Sequence, residues 1–199
     1  YKQLKSKNKS LAFSCPSGHS GNICAGILAK RLGLPIKHFV AATNANDIVP
    51  KFLESGKYNP KPSVSTISNA MDVGNPSNFV RIQELYNNDL ELFKKDFSSF
   101  SFTDEETKVA LRNLFTENKY IAEPHGAVGY LGLKKEMKKH SNSIGVFLKT
   151  AHPVKFLNIV EDVLNIKLEI PNQINAVLNK EKVSVKIKTY EEFKDFITK

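Results

Sequence analysis

Apolar residues follow two rhythms along this chain. Leu11 to Cys15, Ile36 to Ala42 and Ile144 to Lys149 are short apolar runs of the kind that form buried strands. Between the first two, Ile23, Ile27, Leu28 and Leu32 recur at helical spacing, and Gly33 stops the helix. Asn46-Asp47 is placed to cap a helix through Leu53 that ends at Gly56. Tyr58 to Pro76 is rich in Pro, Ser and Asn and predicts a long loop. Phe79 to Phe97 reads as one helix with Ile82, Leu85, Leu90 and Phe93 on its apolar face. Thr103-Asp104-Glu105-Glu106 is a capping box opening a helix to about Asn118. Tyr120 to Ala122 predicts a short strand and Gly126 to His140 a helix. Pro153 opens a helix to about Leu164. Val183 to Lys188 alternates as an edge strand does, and Tyr190 to Ile197 closes the chain as a helix.

Strands alternating with helices predict an α/β fold, a parallel-rich sheet with flanking helices. The expected organisation is a polar lead-in over 1–10, the main α/β body over 11–170 and a strand-helix appendage over 171–199. Ligands of such sheets bind beyond the carboxyl ends of the strands. The predicted ends fall at Cys15, Ala122 and Lys149, each followed by a polar turn containing Gly or His.

Composition narrows the function classes. The chain has 199 residues, 41% hydrophobic and 25% charged, an ordinary globular balance. No apolar run is long enough to span a membrane. The Lys-rich start lacks both a signal-peptide core and an initiator Met, and reads as the interior of a longer chain. Two cysteines, Cys15 and Cys24, make no disulfide framework, which favours a reducing, cytoplasmic setting. The net charge of +9 admits nucleic-acid binding, but only Arg31, Arg81 and Arg112 of the 29 basic residues are arginine. Arginine dominates base and phosphate recognition, so the lysines read as a solvated surface with no nucleic-acid or membrane partner.

Four places carry candidate chemistry. Ser17-Gly18-His19-Ser20-Gly21-Asn22 joins a strand to a helix. Its glycines let backbone N–H groups approach an anion, the helix end adds positive character, and Ser17, Ser20 and Asn22 offer side-chain donors. A phosphate fits there, although the spacing is neither a dinucleotide fingerprint nor a P-loop, and a plain Gly-rich turn with a serine cap is the competing reading. Glu123-Pro124-His125-Gly126 and Thr150-Ala151-His152-Pro153 follow predicted strand ends, where each histidine is as readily a packed or capping residue. Asn69 and Asp72 lie in the long loop, placed to cap a turn or touch a substrate.

Read in order, these stretches resemble the threonine synthase family, pyridoxal-phosphate enzymes of the tryptophan-synthase-β fold type. The matching segments are Pro16 to Asn22, Ala41-Ala42-Thr43-Asn44 with Asn46-Asp47 and Val49-Pro50, Ser68 to Val73, Glu123-Pro124-His125, and Thr150 to Phe156, in register over residues 11 to 199. The resemblance implies the larger, cofactor-side part of a two-domain fold-type-II enzyme. It implies that Gly18, His19, Ser20, Gly21 and Asn22 hold the phosphate of pyridoxal 5′-phosphate and that Thr150 meets the pyridine nitrogen. Asn69, Asp72, His125 and His152 become substrate-side candidates. The implied reaction converts O-phospho-L-homoserine and water to L-threonine and phosphate.

Two departures qualify that expectation. The family turn usually reads S-G-N-F-G, whereas His19 and Ser20 stand at its Asn and aromatic positions. The family's Schiff-base lysine belongs to an upstream Phe-Lys-Asp segment, so no catalytic residue is assigned within this chain. It is expected to be inactive without that N-terminal half, its expected partner. Phe193-Lys194-Asp195-Phe196 mimics the string but falls on the terminal helix, with Phe193, Phe196 and Ile197 forming an apolar face. The alternatives are another pyridoxal-phosphate lyase of the same fold, or an inactive fragment or pseudoenzyme, including a basic binding module.

Overall fold

The computed structural model describes residues 2–4, 7, 9–139, 142–178 and 180–198. They divide into two compact units, Tyr1–Lys167 and Leu168–Lys199. In the first unit β1 (Ser10–Pro16), β2 (His38–Thr43), β3 (Phe97–Ser101) and β4 (Ser143–Phe147) form one sheet in the order β3-β2-β1-β4. Every pairing is parallel, as the alternation of elements predicts.

The connections fix where a site can form. From β1 the chain passes through α1 (Gly21–Arg31) to β2 on one side. It continues through α2 (Ile48–Ser55), α3 (Phe79–Leu85) and α4 (Leu90–Asp96) to β3 at the edge. Then α5 (Asp104–Asn118) and α6 (Pro124–Met137) carry it back across the sheet to β4, on the other side of β1. Strand order therefore reverses between β1 and β4, and the crevice beyond their carboxyl ends is where parallel sheets bind ligands.

Two layers cover the sheet. Ile23 and Ile27 of α1 join Phe39, Phe52, Phe79 and Phe93 in a core where aromatic rings meet, Phe93 stacking on Phe97 with centroids 4.3 Å apart. Helix α6 packs on β1, β2 and β4. Its approach depends on Gly132, where a Cβ would lie 2.7 Å from the Ala42 Cβ. Ser14 Oγ of β1 donates to the Gly129 carbonyl at 2.7 Å, tying helix to sheet. At the amino ends of β2 and β3, buried Glu136 of α6 accepts from Ser98 Oγ at 2.8 Å and lies 3.5 Å from His38 Nε2.

Several elements differ from the sequence expectation. The helix expected over Phe79 to Phe97 is two helices, because Asn87 and Asn88 adopt left-handed φ of 53° and 57° and turn the chain. Asp89 then caps the second, accepting from Glu91 and Leu92 N–H. Phe97 opens β3 rather than ending a helix. Tyr120 to Ala122 forms no strand; the segment leads into Glu123, the N-cap of α6. Residues Ser143–Phe147 of β4 are half-buried, as an edge strand is, and Lys149 lies beyond its end. Asp47 holds the N-cap position of α2 without a side-chain cap, its carboxylate pairing instead with Lys51 at 2.7 Å. Pro153 opens a 3₁₀ turn, Pro153–Phe156, before α7 (Leu157–Leu164). The His140 end of the expected α6 helix, and Tyr1 and Lys5 of the lead-in, lie outside the described residues.

The second unit holds α8 (Asn172–Leu178) and α9 (Tyr190–Thr198). The sequence pattern missed α8, and Val183 to Lys188 forms no strand among the described residues. Phe193, Phe196 and Ile197 lie on α9 as expected, with Lys194 exposed beside them.

No helix among the described residues is long and apolar enough to cross a membrane, and no group of metal-ligating side chains is present among them.

Candidate active site

The turn between β1 and α1 is built to receive an anion. Ser17 N–H bonds the Ala42 carbonyl at 2.8 Å, extending the β1–β2 ladder, and the first bond into the helix is Cys24 N–H to Ser20 O at 3.0 Å. Among the described residues, none of the backbone N–H groups of residues 18–23 is taken by another group of the chain. Helix N-termini leave such donors free, and their dipole adds partial positive charge. Ser20 sits in the left-handed region, φ 61° and ψ 20°, immediately before helical Gly21. That alternation of hand gathers successive N–H groups into a concave nest. A non-glycine residue held there carries about 1 kcal/mol of strain, which function-bearing turns tolerate.

A cavity of about 260 Å³ opens on this turn. Pro16 to Asn22 line it together with Thr150, His125, Ala70 and Met71. Thr150 follows β4, whose ladder extends to Leu148 N–H on Ser14 O at 2.9 Å. The two segments from which the sequence predicts phosphate and ring contacts thus flank the same switch-point crevice. Gly18, His19, Ser20, Gly21, Asn22, Thr150 and His125 come together there.

The Ala70–Met71 lining was legible as a motif but not as residues. Ala70 and Met71 belong to a 3₁₀ turn, Asn69–Met71, that presses against Gly18. A Cβ on Gly18 would lie 2.9 Å from the Met71 Cα and 3.2 Å from the Ala70 carbonyl, so only glycine admits the loop so close. Asp72 anchors that loop. Its carboxylate accepts from Asn44 Nδ2 at 2.8 Å, Thr66 Oγ1 at 2.7 Å and Thr66 N–H at 3.0 Å. Asn44 and Asn46, at the carboxyl end of β2, complete the network.

The remaining candidates are placed differently. Neither Asn69 nor Asp72 lines the cavity, and Asn69 is exposed. His152 also lies off the cavity; its Nδ1 accepts from Val154 N–H at 3.3 Å, capping the 3₁₀ turn. Ser17 is buried and gives its hydroxyl to the Cys15 carbonyl at 3.0 Å, so it is not the free side-chain donor that the turn suggests. His19 is exposed, with Nδ1 3.2 Å from Ser77 Oγ, while its carbonyl accepts from Asn78.

His125 is held from behind. Glu123, fully buried, caps α6: Oε1 accepts from Gly126 N–H at 2.8 Å, and Oε2 accepts from His125 N–H and faces His125 Nδ1, both at 2.7 Å. The imidazole leans on Phe156, ring centroids 4.8 Å apart. Its Nε2 is the one buried side-chain nitrogen or oxygen among the described residues with no hydrogen-bond partner. The arrangement offers backbone donors for an anion, the Thr150 side chain, and a buried imidazole nitrogen without a hydrogen-bond partner.

Known proteins resemble this chain in sequence and in fold. The family model described as pyridoxal-phosphate dependent enzyme matches residues 1–148. The chain belongs to that family. The model described as threonine synthase, C-terminal, matches residues 126–197. Threonine synthase of Buchnera aphidicola subsp. Acyrthosiphon pisum (strain APS) is 48% identical over 169 residues, 84% of this chain and 38% of the relative. The Escherichia coli threonine synthase crystal structure superposes with a TM-score of 0.84 at 38% identity, over 96% of this chain and 44% of that one. Pyridoxal-phosphate-bound threonine synthase from Brucella melitensis gives 0.82 at 28% identity, over 90% and 44%. The fold is therefore that of fold-type-II pyridoxal-phosphate enzymes, and the resemblance to threonine synthases holds across both units. The chain spans less than half the length of these relatives.

Proposed function

We propose that this chain is the cofactor-side portion of a threonine synthase, which converts O-phospho-L-homoserine and water to L-threonine and phosphate. The observation that carries the reading is the nest of free N–H groups at the start of α1, which lines the same cavity as Thr150. A phosphate-bearing pyridine fits that pairing. In this reading the N–H groups of residues 18–22 hold the cofactor phosphate and fix its register. Thr150 donates its hydroxyl to the ring nitrogen; a neutral partner leaves that nitrogen less inclined to protonate than a carboxylate would. Bound there, pyridoxal phosphate supplies an electron sink for charge developing on the substrate carbon skeleton. Ala70 and Met71 wall the cavity, Asp72 acts by holding their loop, and Asn69 and His152 shape the turns they occupy.

The lysine that anchors the cofactor comes, in this proposal, from a segment outside residues 1–199 of the same protein. Two free cysteines support a cytoplasmic setting. The test combines the full-length protein with pyridoxal phosphate and O-phospho-L-homoserine and follows phosphate and threonine together. Equal release of both is expected. Cofactor binding with neither product would replace threonine synthase by a sister lyase, and no cofactor binding would overturn the reading.

A further inference from the structure

The Glu123–His125 pair holds a feature that the cup's anion-binding turn does not explain. A carboxylate only accepts hydrogen bonds, so Glu123 Oε2, 2.7 Å from Nδ1, fixes the ring proton on that nitrogen. In the neutral ring Nε2 is then a bare lone pair. It is buried, it has no partner, and it belongs to a residue lining the phosphate cup. An unpartnered buried nitrogen costs about 1–3 kcal/mol, a cost removed when a bound molecule meets it.

What can meet it is constrained by charge. A free phosphate monoester is a dianion above its second ionisation, near about pH 6, and its oxygens also present only lone pairs. Two lone pairs repel unless a proton lies between them. We propose that His125 Nε2 and a phosphate oxygen of the molecule in the cup share one proton, so that binding the phosphate takes up a proton from solvent. Glu123 balances the charge from behind whichever partner holds that proton more tightly. The inference rests on the reading of the cup as a phosphate site and assigns His125 to the phosphate itself. Among the residues lining the cavity the other titratable side chain is His19, which is exposed; Phe156, packed against the imidazole from the 3₁₀ turn, carries no charge.

The probe is pyridoxine 5′-phosphate, which has the ring and phosphate but no aldehyde, so no Schiff base contributes protons. Titration calorimetry of the full-length protein in two buffers of different ionisation enthalpy counts the protons. Wild type is expected to take up about one, so its affinity falls as pH rises. His125→Gln offers an amide N–H instead and is expected to bind with neither proton uptake nor slope. A wild-type count of zero overturns the proposal by itself, as does an unchanged count in His125→Gln. Absence of binding at every pH overturns the cup reading and the proposal with it.

Discussion

Replacing Asp72 with alanine tests whether the loop that walls the cavity is held by one carboxylate. Three hydrogen bonds at 2.7–3.0 Å converge on it. Bonds to charged groups contribute about 1.5–3 kcal/mol each when buried. The sum overstates the loss, because Thr66 is half-exposed and water can reach its N–H. Asn44 is 1% exposed but keeps Thr66 Oγ1 at 2.8 Å and Ser68 Oγ at 3.2 Å as acceptors for its Nδ2. About one full charged bond is therefore lost, and Asp72→Ala should lower the unfolding free energy by about 2–3 kcal/mol. The loop should also leave Gly18, opening the Ala70–Met71 wall. Urea unfolding of wild type and variant gives the first quantity, and pyridoxine 5′-phosphate affinity at fixed pH gives the second. A variant within about 0.5 kcal/mol of wild type and with unchanged affinity would refute the idea that Asp72 holds the wall.

Two further outcomes follow from packing and titration. Gly132→Ala places a methyl 2.7 Å from the Ala42 Cβ and 3.1 Å from Ser14 Oγ, so α6 must shift, and urea unfolding should show a loss of about 1–3 kcal/mol. Burial pushes the Cys15 thiol up to about 12. The folded pKa lies above the unfolded one, so this contribution is fully present below about pH 8.5 and is lost as pH rises toward 12, at about 1.4 kcal/mol per unit; Cys15→Ala should flatten unfolding free energy against pH over that window.

Much of the positioning framework could be read from residue order alone. The capping box at Thr103 forms as written, with Thr103 N–H on Glu106 Oε2 at 2.8 Å and Glu106 N–H on Thr103 Oγ1 at 3.2 Å, because both partners lie within one turn. The β1–turn–α1 unit is equally local. Tertiary pairing decided the misreadings. Phe97-Ser98-Ser99-Phe100-Ser101 carries no clear strand rhythm, yet it pairs with β2 along its whole length once α3 and α4 deliver it there. The Asn87-Asn88 break was visible as two turn-prone residues and was overridden by the apolar spacing around it. At the site, the Gly-rich turn is legible from its residues as an anion-binding candidate, whereas Thr150 stands out only through the family resemblance. The orphaned Nε2 of His125 was not legible, because whether a nitrogen lacks a partner depends on Glu123, Phe156 and the surrounding wall together.

The pairing of β1 with β4 has a consequence for how the protein is made. Ser10 meets Ser143 and Ser14 meets Phe147, so the crevice closes only when segments more than a hundred residues apart come together. On the ribosome, β1, α1 and β2 emerge before β4, and the edge of β1 that β4 takes waits for it through the synthesis of every element between them. Exposed parallel edges are slow to pair and prone to find the wrong neighbour. The anion nest can take shape on the nascent chain, but Thr150 joins it last, so the binding cup is complete only after nearly all of the first unit has been translated.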